Sequence, residues 1–404
     1  MEHSISHLDF DTFFVECERR ENSKLQNRPV LVGGTGSRGI FAACSYEARR
    51  YGIQSGMSMP MAKRMCPEAI SIKGNSGTYT KYSRLVTDII RDEVPLFEKS
   101  SIDEFYVDLT GMDRFFGNYQ FAKEVRTKII DNSGLPISFG LSRNKLVSKV
   151  ATGEAKPNNQ MRIDIGFEKG FLAPLPVRKI PSVGKVSAAR LRDLGIYRVQ
   201  SLQEMPKEVL HSVLGKNGLS IWERANGIDT SPVAPFTERK SINRERTYKG
   251  DTAEMDKLRA TLTAMGESLA FQLRMDDKIA SCISVKIKYS DFSVHSRQAR
   301  ISYTSGDHLI IPKILELFEK LYERWLLIRL VGVRLSGLVG GQYQINLFDD
   351  SSKRLELYTA MDRMRQRFGA SSLMRASTLD VRSVRSNRNP FDGEPPILLA
   401  HRRQ

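Results

Sequence analysis

The chain has 404 residues and carries 62 Lys and Arg against 46 Asp and Glu, a net charge of +16. This length predicts two to four domains rather than a single core, and the basic excess predicts a polyanionic partner. A membrane-spanning protein is excluded, because no apolar run approaches the roughly 18 residues that a span requires.

The basic excess is concentrated in the later part of the chain. Residues 1–168 hold 23 basic and 21 acidic side chains, whereas residues 169–404 hold 39 and 25. Basic faces can simply keep a protein dissolved, but an excess in one part of the chain favours nucleic acid as the partner. We therefore expect the later segments to bind it.

The cysteines indicate a reducing, cytoplasmic location. Cys17, Cys44, Cys66 and Cys282 are widely spaced and form neither a CxxC pair nor a disulfide framework. The amino terminus lacks the basic and apolar segments of a secretory signal. Arg329 interrupts the most apolar run, "WLLIRLVGV", so no membrane association is expected.

The predicted elements begin with a strand at 4–10, then strands in "RPVLVGG" and "GIFAACSY" and short helices in "SYEARRYG" and at 57–66. A helix at 78–93, a hairpin with arms "FEKSS" and "FYVDL", a helix at 119–131, the strand "PISFGLS" and a helix from about 144 follow. Without an insertion at 18–75, this order is that of the split βαβ, ferredoxin-like fold. Its first and third strands are neighbours in the sheet.

Carboxylates lie on both of those strands. Asp9 and Asp11 belong to the first strand, and Asp103 and Glu104 begin the third. Buried charge costs several kcal/mol unless it is paired or bound to metal. Carboxylates that converge on one sheet face would repel one another, so divalent cations are expected there.

Residues 180–205 resemble a helix-hairpin-helix element. Backbone N–H groups at the start of such a helix hold a DNA phosphate without reading sequence, which makes Gly184 and Lys185 candidate DNA contacts. Ser182 stands where this hairpin usually has its first glycine. An ordinary packed helical hairpin is the alternative.

Residues 236–243 are predicted to be a linker, and 244–341 a second α+β domain. Alternation in "SVKIKY" and "RQARIS" predicts basic side chains on one face of its sheet. A later helix, "KRLELYTAMDRMRQRFG", is predicted to pack through one stripe, made of Leu355, Tyr358, Met361 and Met364.

The motifs "LDFDTFF", "SYEARRYGI", "SIDEFYVDLTG", "GLSRNKLVSKVAT" and "AKPN" occur in the order and spacing of Y-family DNA polymerases, closest to the DNA polymerase IV type. The resemblance covers nearly the whole chain. It implies a palm at 1–17 and 76–168, fingers at 18–75, a helical thumb at 169–235, a little finger at 244–341 and a tail at 342–404. The implied activity is low-fidelity translesion synthesis without proofreading on primer-template DNA, by a monomer.

The resemblance also implies a metal site. Asp9 and Asp103 would bridge two Mg²⁺ ions, with Mn²⁺ as a substitute, and Glu104 would complete the primer-side site with the main-chain carbonyl of Phe10. Asp11 shares the face of Asp9 in an ideal strand, but the family pattern gives it a secondary place.

Nucleotide contacts are implied in the same way. Phe14 matches the steric-gate position against C2′ of the incoming sugar, and Phe13 lies beside it, with one of the two rings expected in the core. Tyr46, Arg49 and Lys156 match positions that hold the dNTP triphosphate. The role of Lys145 is open.

The segment "QINLF" resembles the peptides by which bacterial polymerases bind the sliding clamp. Gln344, Leu347 and Phe348 would fill a small pocket of that partner. Five-residue matches also arise by chance, so an ordinary strand or loop is the alternative.

Two rival interpretations remain at this point. A DNA-binding or clamp-bound accessory protein would not need three clustered acids. Another palm enzyme, such as a nucleotide cyclase or reverse transcriptase, would not need the helix-hairpin-helix or the second basic domain.

Overall fold

The computed structural model describes residues 3–34, 36, 38–112, 117–322, 326–341, 351–369, 372–379 and 381, without the side chains of residues 351, 352 and 355. Two compact units divide the chain, an amino-terminal unit, Met1–Thr237, and a carboxyl-terminal unit, Glu238–Arg388. In the described ranges, no helix has both the length and the apolar character that a membrane crossing needs.

Strands and helices alternate along the described chain. The strands are β1 (Ile5–Phe10), β2 (Val30–Gly33), β3 (Phe41–Cys44), β4 (Ile70–Ile72), β5 (Phe97–Lys99), β6 (Glu104–Asp108), β7 (Ile137–Ser142), β8 (Gln160–Arg162), β9 (Ser241–Thr252), β10 (Lys278–Tyr289), β11 (Val294–Thr304) and β12 (Ile328–Gly340). The helices are α1 (Phe13–Glu21), α2 (Tyr46–Arg49), α3 (Met59–Met65), α4 (Ser76–Glu93), α5 (Asn118–Ser133), α6 (Lys145–Ala155), α7 (Glu168–Leu172), α8 (Lys185–Asp193), α9 (Val199–Glu204), α10 (Lys207–Leu214), α11 (Lys216–Ala225), α12 (Met255–Met275), α13 (Asp307–Leu321) and α14 (Ser351–Phe368).

The first sheet has the strand order β5-β6-β1-β7-β8, with β1 antiparallel to both β6 and β7. Leu8 of β1 lies in a core shared with α4 and α5, whereas His7 of the same strand bonds Thr152 of α6 at 2.9 Å. The two residues face opposite sides of the sheet, as consecutive strand residues do. The predicted ferredoxin-like arrangement is therefore confirmed, with α6 added on the second face.

Close packing of α6 on the sheet sets the position of the site. Gly140 on β7 faces this helix, and a side chain there would collide with the backbone of Ser148 and Thr152. Asn144 caps the helix by accepting a hydrogen bond from the Val147 N–H. The glycine lets α6 lie against β1 and β7.

Two further subdomains complete the amino-terminal unit. The insertion after α1 forms a sheet of order β3-β2-β4 with its own core around Leu31 and Phe41. Helices α7–α11 form a helical subdomain whose core includes Val147 and Val150 of α6. The parallel strand β4 was not predicted, because it is short and only half-buried.

The carboxyl-terminal unit is a four-stranded antiparallel sheet of order β11-β10-β12-β9, with α12 and α13 packed on one face. Its first strand begins at Ser241 because Ile242 is buried in that core, so the predicted linker at 236–243 is shorter at its carboxyl end.

One prediction for this sheet is wrong. The basic residues of "RQARIS" do not share a face, because Arg300 lies opposite the partly exposed Cys282 whereas Arg297 lies opposite the buried Val285. Strand residues three apart point to opposite faces. Lys286 and Lys288 do share the face away from the helices.

Candidate active site

Three acids meet at the ends of two neighbouring strands. Asp9 of β1 lies directly opposite Glu104, the first residue of β6. The Phe10 N–H donates to the carbonyl of Asp103 at 3.2 Å. The sheet register therefore places Asp9 directly beside Glu104, and Asp103 precedes Glu104 by one residue in the chain.

Each of these carboxylates has a close polar partner. The ammonium of Lys156 lies 2.6 Å from Asp9 Oδ1, and that of Lys149 lies 2.6 Å from Glu104 Oε2. Ser101 donates its hydroxyl to Asp103 Oδ1 at 2.5 Å. The Phe10 carbonyl, predicted as a metal ligand, accepts from Lys156 at 2.8 Å.

Burial dominates the electrostatics of this cluster, while Lys156 and the neighbouring carboxylates act in opposite directions. Burial raises the pKa of Asp9 to about 7, with Lys156 opposing and with Glu104 and Asp103 adding to the rise. Burial also raises the pKa of Asp103, and the charge of Glu104 adds to it. The site therefore holds more negative charge than its lysines neutralise.

The donor set fits a divalent cation by its chemistry. Carboxylates and a main-chain carbonyl are the hard oxygen ligands that Mg²⁺ prefers, and the three carboxylates outnumber Lys149 and Lys156, which contact two of them. In the described part of the chain, however, no three His, Cys, Asp or Glu side chains are arranged closely enough to hold a metal ion. Asp9 and Glu104 contact lysines instead.

Asp11 has a different place from the one that strand alternation suggests. It is only 2% exposed and accepts hydrogen bonds from the Ser138 hydroxyl at 3.0 Å, the Asn158 N–H at 2.6 Å and the Tyr46 hydroxyl at 3.2 Å. Lys156 lies 3.9 Å away. Asp11 thus joins the α2 helix of the insertion to the loop after α6.

The loop after α6 is also held by a side chain of α5. Arg126 of α5 donates to the Asn158 carbonyl at 2.9 Å and to its side-chain oxygen at 2.5 Å. The Arg126 Nε also donates to the Ile137 carbonyl at 2.8 Å. Asp11 and Arg126 together fix the backbone that carries Lys156.

The predicted triphosphate contacts lie on α2 and on the loop after α6, the two segments that Asp11 joins. Tyr46 is half-buried on Asp11, and burial raises the pKa of its hydroxyl, with the charge of Asp11 adding to the rise. The Arg49 guanidinium is exposed and lies over the Tyr46 ring, 4.9 Å from its centroid. Arg49 is the member of the predicted set whose side chain is exposed to solvent.

The paired phenylalanines separate as expected of one core ring and one site ring. Phe13 is 3% exposed and packs against Phe10, with 5.3 Å between ring centroids. Phe14 is half-buried beside Tyr79, with 4.5 Å between centroids. The Phe13 ring therefore lies in the core, and the nucleotide contact predicted for Phe13 stays a prediction.

A cleft of about 460 Å³ opens beside Asp9. It is lined by Lys149 and Gly153 of α6 and by the turn before α8, namely Arg178, Lys179, Ile180, Pro181, Ser182, Val183 and Gly184. Gly184 caps α8 with no side-chain hydrogen bond, and Lys185 begins the helix. The hairpin turn and Asp9 thus line one cavity.

Ser182 takes the glycine conformation in that turn. Its φ is 76°, in the left-handed region that side chains disfavour. The departure from the usual hairpin sequence therefore leaves the turn geometry in place.

Sequence reasoning missed Lys149, Arg178 and Lys179. A signal for Lys149 existed, because Lys145 and Lys149 are four residues apart and share a face of α6. Lys145 itself contacts no acid of the cluster. Its ammonium bonds Glu98 at 2.7 Å and the Pro232 carbonyl at 3.3 Å, which ties the end of the helical subdomain to the sheet.

The predicted clamp contacts Gln344, Leu347 and Phe348 lie outside the described residues. The structure therefore offers no geometry for them.

Comparisons with known proteins agree along the chain. The impB/mucB/samB family matches residues 8–153, its C-terminal domain matches residues 239–347, and the HHH motif of the family matches residues 168–196. The last match begins before the predicted hairpin and includes its Ser182 turn.

Curated relatives have one name in common. A "DNA polymerase IV" of Dehalococcoides mccartyi strain CBDB1 is 36% identical over 385 residues, which is 94% of this chain and 98% of that protein. One of Desulfatibacillum aliphaticivorans is 32% identical over 379 residues, 92% of this chain and 96% of that protein.

Solved structures share the fold. A Y-family DNA polymerase chimera superposes with a TM-score of 0.75 at 24% identity and covers 84% of this chain and 100% of its own. DinB from Sulfolobus solfataricus gives 0.58 at 23% identity with the same coverage. The architecture is that of palm, thumb and little-finger domains. The chain therefore belongs to the Y family of DNA polymerases, within its DNA polymerase IV type.

Proposed function

We propose that this chain is a template-directed, low-fidelity DNA polymerase for translesion synthesis, which extends a primer 3′-hydroxyl with dNTPs and does not proofread. One observation carries the proposal, namely that Asp9 lies directly opposite Glu104 at the ends of β1 and β6, while Asp103 precedes Glu104 and accepts a main-chain hydrogen bond from Phe10. An accessory protein would have no use for this excess of buried negative charge.

Asp9, Asp103 and Glu104, with the Phe10 carbonyl, are proposed to hold two divalent cations, Mg²⁺ or its substitute Mn²⁺. When bound, the two cations activate the attacking hydroxyl and stabilise charge on the phosphates. Lys149 and Lys156 supply positive charge to the same carboxylates.

Tyr46, Arg49 and Lys156 are proposed to hold the triphosphate of the incoming dNTP. An arginine fork and a lysine point charge suit phosphate oxygens. Asp11 orients two of the three, because it contacts both the Tyr46 hydroxyl and the loop that carries Lys156. The cleft beside Asp9 is bordered by Arg178, Lys179 and Gly184, and α8 begins at Lys185. These four residues are proposed to bind backbone phosphates of the DNA.

Primer extension tests the activity. With Mg²⁺ and dNTPs, we expect synthesis on undamaged templates and on templates with an abasic site, and none after chelation of the metal. Asp103→Ala should abolish synthesis while DNA affinity survives. Synthesis by that variant would refute the metal assignment, and an inert wild-type chain with Mg²⁺ and Mn²⁺ would refute the proposed activity.

Phe14 is proposed to exclude ribonucleotides, since its half-buried ring packs against Tyr79 and the residue follows Asp9 by five positions. Phe14→Ala should admit ribonucleotides into the primer. Phe13→Leu is the matched control, because that ring lies in the core and its loss should cost stability without changing sugar choice. Equal ribonucleotide incorporation by wild type and Phe14→Ala would leave Phe14 as a packing residue.

We further propose that the segment with Gln344, Leu347 and Phe348 binds the sliding clamp, and that the chain works as a monomer in the cytoplasm. The location is supported by four free cysteines, of which Cys17, Cys44 and Cys66 are buried. Replacing Leu347 and Phe348 by Ala should remove stimulation by the clamp and leave basal synthesis intact. Light scattering of the purified chain tests the monomer.

A further inference from the structure

Helix α14 lies beyond the segment that matches the family's C-terminal domain, which ends at residue 347. Its inner face is polar and buried. Asp362 receives two hydrogen bonds from Arg274 of α12, at 2.6 and 3.0 Å. Tyr358 accepts from the His308 N–H at 3.1 Å, so α14 is fastened to the carboxyl-terminal unit through hydrogen bonds and charge.

An apolar stripe on one flank of α14, next to its buried face, is exposed. Leu357 is 56% exposed, Met364 47% and Phe368 59%, and Met361 between them is half-exposed. The predicted packing stripe is therefore wrong, because Tyr358 points inward while Met364 points outward. A globular surface helix normally buries its apolar stripe, and α14 does the reverse.

The spacing of this exposed stripe indicates a protein partner. Leu357, Met361, Met364 and Phe368 follow one another at intervals of four, three and four residues, which is the narrow seam of helix packing. A helix that lies in a lipid surface presents a broad apolar face. The seam on α14 is one residue wide at each turn.

Charge decides which protein partner fits. The exposed charged residues of α14 are mostly basic, with Lys353, Arg354, Arg363 and Arg367 against Glu356. A second copy of α14 would bring like charges together. The tail at 382–404 is also basic, with five Arg against one Asp and one Glu. The seam therefore suits an acidic partner surface with an apolar groove.

The segment proposed to bind the sliding clamp is close to α14 in the sequence. Only residues 349 and 350 separate Phe348 from the first residue of α14. At about 3.4 Å per extended residue, a partner that holds residues 344–348 lies roughly 10 Å from the start of the helix. We propose that the exposed seam of α14 is a second contact with the sliding clamp, an inference that rests on the clamp docking proposed above.

Clamp affinity of the full chain, measured by surface plasmon resonance, tests this contact. The variant Leu357→Ser/Met364→Ser/Phe368→Ser should bind the purified clamp about tenfold more weakly, with unchanged circular dichroism and unchanged synthesis without clamp. Arg363→Glu/Arg367→Glu should weaken binding in a salt-dependent way. Leu379→Ser is the matched control, because Leu379 is 68% exposed but lies off the helix.

The outcomes separate the two proposals. If the seam variant binds as wild type while Leu347→Ala/Phe348→Ala does not bind, the seam contact is wrong and the clamp segment stands. If neither variant changes affinity, clamp docking fails and the seam contact fails with it. If the seam variant changes only binding to vesicles of anionic phospholipid, the partner is a lipid surface and the proposal is overturned.

Discussion

The amino-terminal and carboxyl-terminal units each bury a cluster of charged side chains, and the two clusters differ in charge balance. The acid cluster of the first unit consists of Asp9, Asp103 and Glu104 with Lys149 and Lys156. The ion network of the second consists of Glu267, Asp307 and Asp362 with Arg274, Arg365 and Arg375.

Three carboxylates share two lysines in the acid cluster, whereas three carboxylates face three arginines in the ion network. The first set keeps an excess of negative charge beside an open cleft. The second is balanced, and Asp307 within it is fully buried. A cluster with more acidic than basic side chains attracts cations, whereas a cluster with equal numbers of both specifies how α12, α13 and α14 pack.

The largest effect is expected at Asp103. Asp103→Asn should lower the rate of primer extension by roughly a thousandfold or more, about 4 kcal/mol of transition-state stabilisation, because a metal ligand is lost. The melting temperature should not fall, since one of several repelling charges disappears. Thermal unfolding and single-turnover extension check both parts.

A lower melting temperature would contradict the charge excess assigned to this cluster. It would mean that the carboxylate stabilises the fold, as its counterparts in the ion network do. Asp256→Asn is a suitable control for the removal of an acid, because Asp256 is exposed in the first turn of α12.

Asp307→Asn should have the opposite pattern. Arg274 donates to Asp307 at 2.8 Å, and neutralising this buried partner should reduce the free energy of unfolding by about 3 kcal/mol. Below the melting temperature, clamp-free synthesis by the folded variant should stay close to wild type. Chemical denaturation measures the first quantity. An unchanged stability would show that Asp362 alone compensates Arg274.

Asp11→Asn should act on nucleotide binding. Its carboxylate positions both Tyr46 and the backbone at Asn158, so we expect the KM for dNTP to rise roughly tenfold to a hundredfold with a smaller change in kcat. Steady-state kinetics at several Mg²⁺ concentrations check this. A shifted Mg²⁺ requirement at unchanged KM would make Asp11 a metal ligand instead.

The smallest effect is expected at Ser182, where backbone strain rather than charge is involved. Ser182→Gly should raise the free energy of unfolding by up to about 1 kcal/mol, because glycine adopts a φ of 76° without steric cost. The greater freedom of glycine in the unfolded chain offsets part of this gain. DNA affinity should not change. A loss of stability would show that the serine hydroxyl holds the turn.

The order of the predicted strands and helices along the chain was enough to predict much of the fold. The strand and helix sequence predicted that β1 and β6 are neighbours, and the observed pair Asp9 and Glu104 follows from that adjacency. The helix α5, expected at 119–131, spans Asn118–Ser133. Periodic apolar residues and caps are local signals, so they are readable in one sequence.

Contacts between distant segments were not readable in this way. Asp11 and Asn158 are 147 residues apart, and Lys149 and Glu104 are 45 apart, so their pairing depends on how α6 lies on the sheet. The inversion of α14 has the same cause, because Arg274 and Asp362, 88 residues apart, outweigh the apolar stripe in choosing the buried face.

The amino-acid sequence by itself determined the order of elements, the acids at the strand ends and the family to which the chain belongs. Only the tertiary structure decided which lysine or arginine side chain faces each acid and which side of α14 meets solvent. It also decided that Asp11 joins two segments of the chain and is not one more acid of the open site. Local propensity sets the backbone of each element, but the cost of burying a charge is met only by a partner that folding brings from elsewhere in the chain.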